Sequence, residues 1–175
     1  MKDDFGSNLF EDDFSNPDFK EGYNIAIRLL SFAPQLSTTL RDKMIKKGIN
    51  DSIIEKVIDK LKDNQMLDDR KLGIQYVISL SEKCYGKYGA INRLIQKGVD
   101  KNEAVDIVDS VYQDDLEVIL IEKYLTKNKN SLLKYYKDKK YDYKKKRLYD
   151  RGFNSNNINK FFKNGFDNYN MECEE

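Results

Sequence analysis

Three glycines, at 48, 98 and 152, each interrupt a stretch whose apolar spacing is otherwise that of a helix: "MIKKGINDSIIEKVI" (44–58), "LIQKGVDKNEAVDIV" (94–108) and "LYDRGFNSNNINKFF" (148–162). When the three are superimposed on the glycine, the neighbours agree in kind. Four residues before it stand Met44, Leu94 and Leu148, and three before stand Ile45, Ile95 and Tyr149. One residue after it are Ile49, Val99 and Phe153, and six after are Ile54, Ala104 and Ile158. Self-similarity at this period marks stacked supersecondary units, each too small to bury a stable core alone.

The chemistry of each position says what the unit does. A helix commonly ends with a left-handed residue just past its C-terminus, where a side chain would clash, so glycine is expected there. The residue after glycine packs back on the closing turn, pairing Ile49 with Met44, Val99 with Leu94 and Phe153 with Leu148. Next comes Asn50, Asp100 or Asn154, each a strong N-cap for a new helix. The residue before that cap should staple to the helix it opens, giving Ile49–Ile54, Val99–Ala104 and Phe153–Ile158. One helix stops, the chain turns, and another starts, three times.

Each unit has room for an earlier helix as well. "YNIAIRLLSF" (23–32) precedes Pro34, "DRKLGIQYVISLSEK" (69–83) follows Asp68, and "QDDLEVILIEKYLT" (113–126) has near-helical apolar spacing. The expected fold is all-α: an elongated array of three tandem three-helix repeats. The expected limits are 1–22 for an acidic, disordered tail, 23–67, 68–112 and 113–165 for the repeats, and 166–175 for an acidic C-terminal tail.

Charge is unevenly placed. The net charge is +1, but residues 1–22 carry −5 and residues 167–175 carry −4, which leaves +10 on residues 23–166. The segment 123–163 alone holds fourteen Lys and Arg against three Asp, with tyrosines interspersed. Cations displace counterions from phosphates and aromatic rings stack on unpaired bases, a combination suited to single-stranded nucleic acid. The solvated-surface alternative is that lysine simply decorates the third repeat.

The chain has no His and only two Cys, 84 and 173. Imidazole bases, thiol–imidazole pairs and His/Cys metal cages therefore cannot be built. No cofactor or metal is called for, and the expectation is a non-enzyme. "LDD" (67–69) reads as a helix start, because adjacent carboxylates on a helix do not face one another. "YGKYG" (85–89) lacks the spacing of a phosphate-cradling loop and reads as a turn. The longest apolar stretch, "LGIQYVISLS" (72–81), is too short to span a membrane, and the acidic "MKDDFG" start does not resemble a secretory signal. A cytoplasmic protein with free thiols is expected.

Taken together, "IRLL" (27–30), "LRDKMIKKGI" (40–49), "MLDD" (66–69), "YGKYGAINRLIQKGV" (85–99) and "RLYDRGF" (147–153) resemble the RecX family, regulators of the RecA recombinase. The resemblance covers roughly 24–165. It implies three tandem three-helix repeats and a non-enzymatic modulator, in the inhibitory sense, that binds the RecA–DNA filament and limits its growth or activity. It also implies a role in DNA repair by homologous recombination and in the SOS response. On this reading the filament or DNA contacts are Lys144, Lys145, Lys146, Arg147 and Arg151, with Lys139 and Lys140 beside them and Lys87, Arg93 and Lys97 second. The protein is expected to act as a monomer, with RecA and directly bound single-stranded DNA as partners and no membrane. The rival readings are a single-stranded nucleic-acid-binding repeat protein independent of RecA, and a helical adaptor for another protein that uses its aromatic N-terminal segment. That segment is also a candidate to fold over the basic third repeat.

Overall fold

A computed structural model describes residues 13–113, 115–133 and 140–164. All regular structure among them is helical: α1 (Pro17–Phe32), α2 (Ser37–Ile45), α3 (Asp51–Asp63), α4 (Asp69–Glu82), α5 (Lys87–Gln96), α6 (Lys101–Val111), α7 (Leu116–Lys127), α8 (Lys129–Leu133), α9 (Lys140–Asp150) and α10 (Ser155–Asn164), with a short 3-10 turn at Asp13–Ser15. The chain divides into two compact units, 1–72 and 73–175.

The glycine turns are built as their neighbours predict. Gly48, Gly98 and Gly152 have φ of 81°, 85° and 76°. In each turn the residue after glycine donates its N–H to the carbonyl five residues back: Ile49 to Met44, Val99 to Leu94 and Phe153 to Leu148, at 3.1–3.2 Å. The glycine N–H itself bonds three residues back, to Ile45, Ile95 and Tyr149, at 2.8–2.9 Å. These two bonds form the Schellman motif, which satisfies carbonyls that the helix end would otherwise leave bare. The caps follow. Asn50 accepts from the Ser52 N–H at 2.9 Å, Asp100 from Asn102 at 2.8 Å and Asn154 from Asn156 at 2.8 Å.

The same motif closes α3 and α4 without glycine. Gln65 and Cys84 adopt φ of 56° and 54°. Met66 and Tyr85 bond back to Leu61 and Leu80, at 2.9 and 3.0 Å. Sequence reading passes over these two turns because neither residue is the type that advertises a left-handed position.

In the first unit, α1 and α3 close over α2. Phe19, Ala26, Leu40, Met44, Ile54, Val57, Ile58, Leu61 and Leu67 make one buried cluster. Gly22 lets α1 approach α3: a β-carbon there would stand 3.0 Å from Ile53. α1 begins at Pro17, six residues before the expected repeat boundary, so 17–22 is helix rather than disordered tail. The reason is local. Asn16 is the N-cap, accepting from the Asp18 and Phe19 N–H groups at 2.9 and 3.4 Å, and Pro17 takes the first helical position, where its missing N–H costs nothing. Phe19 is then fully buried, with Phe14 edge-on to it at 5.2 Å. The rest of the acidic segment, 1–12, lies outside the described residues, as do residue 165 and the C-terminal tail, 166–175.

In the second unit, Gly73 of α4 performs the same service against α6, where a β-carbon would come within 2.8 Å of Ile107. The third repeat departs from three helices by the insertion of α8, which turns off the end of α7. Asn128 bonds back to the Tyr124 carbonyl through both its backbone and its side chain, at 3.1 and 2.7 Å. Leu132 is buried.

Candidate functional site

Within the second unit, the basic helix α9 is fixed to α5 by its C-terminal turn. Arg151–Gly152–Phe153 docks end-on against the start of α5, where the "YGKYG" stretch supplies two glycines. The Gly86 N–H donates to the Arg151 carbonyl at 3.0 Å, and Tyr88 and Gly89 donate to the Gly152 carbonyl at 3.0 and 3.3 Å. The open carbonyls of one helix end thus meet the open N–H groups of another, in the sense that the helix dipoles favour. No side chain fits in this joint. A β-carbon on Gly86 would strike the Phe153 backbone, and one on Gly89 would strike the Arg151 carbonyl.

Arg151 seals the joint. Its Nε donates to the Cys84 carbonyl at 2.8 Å, and its terminal nitrogen donates to the Lys83 carbonyl. Its guanidinium lies 4.2 Å from the Tyr85 ring centre and 4.7 Å from that of Tyr124. Arg93 covers Tyr85 as well, at 3.7 Å, and donates to the Gly89 carbonyl at 3.1 Å. Two of the sequence-predicted contact residues are therefore built into the packing around Tyr85, a residue the sequence reading does not single out.

The remaining candidates distribute as follows. Lys146 and Arg147 are exposed on α9, and Lys144 and Lys145 are partly exposed. Lys145 reaches the Asn159 side chain at 3.5 Å and lies 5.5 Å from the Phe162 ring centre, both on α10. Arg147 is held more firmly protonated than usual, chiefly by Tyr124 and with Tyr143 adding to it. Lys140 opens α9, and Lys139 lies outside the described residues. Lys87 pairs with Asp109 at 2.7 Å, and Lys97 lies 4.8 Å from the Tyr76 ring centre. The structure thus gathers Lys144–Arg147 on one helix and leaves Lys87 at the start of α5 and Lys97 just past its end, next to partners of their own.

Sequence reading also missed two carboxylates that cap a helix from outside it. α2 begins after Leu36, which offers no side-chain cap. Asp69, at the start of α4, supplies it by accepting from the Ser37 N–H at 2.7 Å and from the Ser37 hydroxyl. α5 begins after Gly86, again with no side-chain cap. There Glu117, near the start of α7, accepts the Lys87 N–H at 2.6 Å, the Asn154 N–H at 3.4 Å and the Asn157 amide at 2.6 Å. The signal for Glu117 was present. It lies three and four residues before Leu120 and Ile121, on the buried stripe of α7, and is itself only 4% exposed. An acid on an apolar face implies donors waiting for it.

Among the described residues, no group of three His, Cys, Asp or Glu side chains could hold a metal ion, and no helix is long and apolar enough to cross a membrane.

Residues 23–61 match the family model for the first three-helix domain of RecX. The regulatory protein RecX of Caldanaerobacter subterraneus subsp. tengcongensis is 30% identical over 141 residues, which cover 81% of this chain and 68% of that protein. The chain belongs to the RecX family. The RecX of Chlorobium phaeobacteroides is 27% identical over 82% of this chain and 93% of its own length. That of Finegoldia magna is 33% identical, and the chain spans about half of it (49%). The crystal structure of RecX from Lactobacillus salivarius superimposes with a TM-score of 0.74 at 26% identity, covering 83% of this chain and 95% of that one. The RecX fold and the three-fold glycine turn thus coincide, and the relatives are named as regulatory proteins.

Proposed function

We propose that this protein is a non-enzymatic modulator of the RecA recombinase that binds the RecA–DNA filament and limits its growth or activity. The name its relatives carry supports the regulatory role. The observation that carries the contact is the cationic run Lys144–Arg147 on α9, a helix whose end is locked by backbone bonds to α5. Several cations on one rigid element engage a polyanion with little ordering cost, and repeated weak contacts reinforce one another. Arg93 and Arg151 serve this surface by holding it in place rather than by touching phosphate. Lys87 and Lys97 form a second, weaker contact. The protein acts as a monomer in the cytoplasm, alongside its partner.

The deciding experiment titrates the protein into a RecA ATPase and strand-exchange assay. Suppression by wild type, lost on reversing charges 144–147, is expected. Suppression by the charge-reversed protein at the wild-type concentration would remove α9 from the contact.

One observation favours a second reading. Tyr143 and Tyr149 flank the cations on α9, and Tyr149 is 47% exposed, as a base-stacking platform requires. A protein acting on single-stranded nucleic acid without RecA would show affinity that falls steeply with salt and no dependence on the recombinase.

A further inference from the structure

We propose that the Gly48 turn is a docking surface for the start of a helix on a partner protein, one whose first turn carries glycine and carboxylates. This rests on the reading of the chain as a RecA modulator, and it assigns the contact to the recombinase protein rather than to its DNA.

The third repeat shows what a turn of this kind accepts. There the Arg151 and Gly152 carbonyls take three N–H groups from the start of α5, and Arg151 reaches on to the Lys83 and Cys84 carbonyls. Counted from the glycine, Lys47 and Gly48 hold the same positions. Their carbonyls accept no hydrogen bond among the described residues, and a β-carbon on Gly48 would meet nothing within 4 Å. One copy of the joint is closed within the chain, and the other faces outward.

The side chains around it form a surface of their own. Met44 is fully buried, yet Ile45 beside it is 46% exposed. Lys43, Lys46 and Lys47 stand on either side of Ile45 in the chain, and all three are exposed. None of them is in an ion pair among the described residues, not even with Asp42, one turn before Lys46.

Charge decides the class of partner. Bare carbonyls are the negative end of the α2 dipole and repel phosphate, and isoleucine offers a base no ring to stack on. The three ammonium groups call for carboxylates. A helix start meets both needs at once. Its uncapped N–H groups face the carbonyls, and acids in its first turn, where they are favoured, face the lysines. Gly86 and Gly89 set a further condition, since the incoming turn must come as close as they do. An apolar residue beside that turn covers Ile45.

The test uses the full chain, fluorescently labelled, and RecA assembled on an oligothymidylate with a slowly hydrolysed ATP analogue. The same oligothymidylate without RecA is the second probe. Ile45→Lys should bind the filament about fivefold more weakly or worse. It should bind the bare oligothymidylate as well as wild type or better, because it adds a cation. Ile45→Leu should keep wild-type binding, which separates a lost contact from a lost fold. Lys43→Gln/Lys46→Gln/Lys47→Gln should also lose filament affinity, by more than a control of equal charge, Lys20→Gln/Arg28→Gln/Lys71→Gln. A photoreactive benzoylphenylalanine in place of Ile45 should cross-link to the first turn of a RecA helix, located by mass spectrometry. Wild-type filament binding by Ile45→Lys, equal losses in the two triple variants, or cross-links to the oligothymidylate or to a second copy of this chain would overturn the proposal. If wild type does not bind the filament at all, the RecA reading fails and this contact with it. If wild type binds and Ile45→Lys binds equally, only the docking surface is wrong.

Discussion

Gly152 rests against Gly89 so closely that a β-carbon on Gly152 would fall inside the van der Waals shell of the Gly89 backbone nitrogen. Gly48 has the same left-handed φ but would offer a β-carbon open space, with nothing within 4 Å. Two glycines at one repeat position therefore carry different loads. Gly48→Ala should cost only the left-handed strain, about 1 kcal/mol. Gly152→Ala adds a collision that breaks the α9–α5 joint, and about 3 kcal/mol or more should be lost. Urea denaturation followed by circular dichroism measures both, and equal losses would mean that the joint does not hold α9.

Gln65 predicts a gain in stability. It takes a left-handed φ of 56° with its side chain exposed, so Gln65→Gly removes strain and loses no packing. A rise of about 0.5–1 kcal/mol is expected, the relief exceeding the added freedom of the unfolded chain. Cys84 has the same backbone conformation but is buried, and Cys84→Gly should gain less because it empties a packed site. Thermal melts of the two variants side by side decide the matter.

The three glycine turns, their caps and the helix each begins were legible because the code there is local: a missing side chain, then an acceptor, within seven residues. Asp68 was legible for the same reason, and its carboxylate accepts the Lys71 N–H at 2.8 Å. Asp69, its neighbour, was read as serving the same helix, yet it reaches α2, thirty-two residues earlier. Nothing in a linear spacing announces such a bond. The same limit hid the Arg93–Tyr85–Arg151 stack, since the two guanidiniums belong to different repeats. Arg151 looked like one more cation in a basic stretch, whereas distance in sequence concealed the carbonyls it serves. The Asn16–Pro17 helix start was missed although it is local, because the surrounding acids and aromatics resemble an unpatterned tail.

Arg151 accordingly separates charge from shape. Arg151→Lys keeps the charge but cannot reach both the Lys83 and Cys84 carbonyls while stacking on Tyr85 and Tyr124. A stability loss of about 1–3 kcal/mol is expected, seen as a lower urea midpoint at saturating salt, where surface charge is screened. An unchanged midpoint would return Arg151 to the list of solvent-facing contacts.

Asp100 predicts a pH dependence. Its carboxyl titrates below the ordinary 3.8 because the Asn102 N–H, and then the Glu103 N–H, donate to the ionised form. A depressed native value means that the folded state holds the proton less well than the unfolded one. The cap therefore contributes fully above pH 3.8, and the contribution is lost as pH falls through the lower native value. Asp100→Asn retains an acceptor oxygen without the titration, so its stability should fall less steeply on the acid side. Parallel acid denaturation curves for the two proteins would contradict this.

Glu117 supports the firmest test of the joint, because its surroundings are all donors. One oxygen takes the Lys87 and Asn154 N–H groups and the other takes the Asn157 amide. Glu117→Gln replaces one oxygen by an NH2 group that must face either the two backbone donors or the Asn157 amide. The less damaging arrangement keeps the carbonyl on the backbone pair and turns the NH2 toward position 157, where the Asn157 amide must turn over to offer its oxygen. The charge-assisted bonds are lost, for about 1–2 kcal/mol. Asn157→Asp then supplies a charged acceptor to that NH2, so the double variant should recover about 1 kcal/mol relative to the sum of the singles. Asn157→Asp alone sets two carboxylates together and should destabilise. A double-mutant cycle by urea denaturation at neutral pH reads the coupling. Strict additivity would mean that Glu117 does not bond Asn157, and the tie from α7 to α10 through that amide would have to be abandoned.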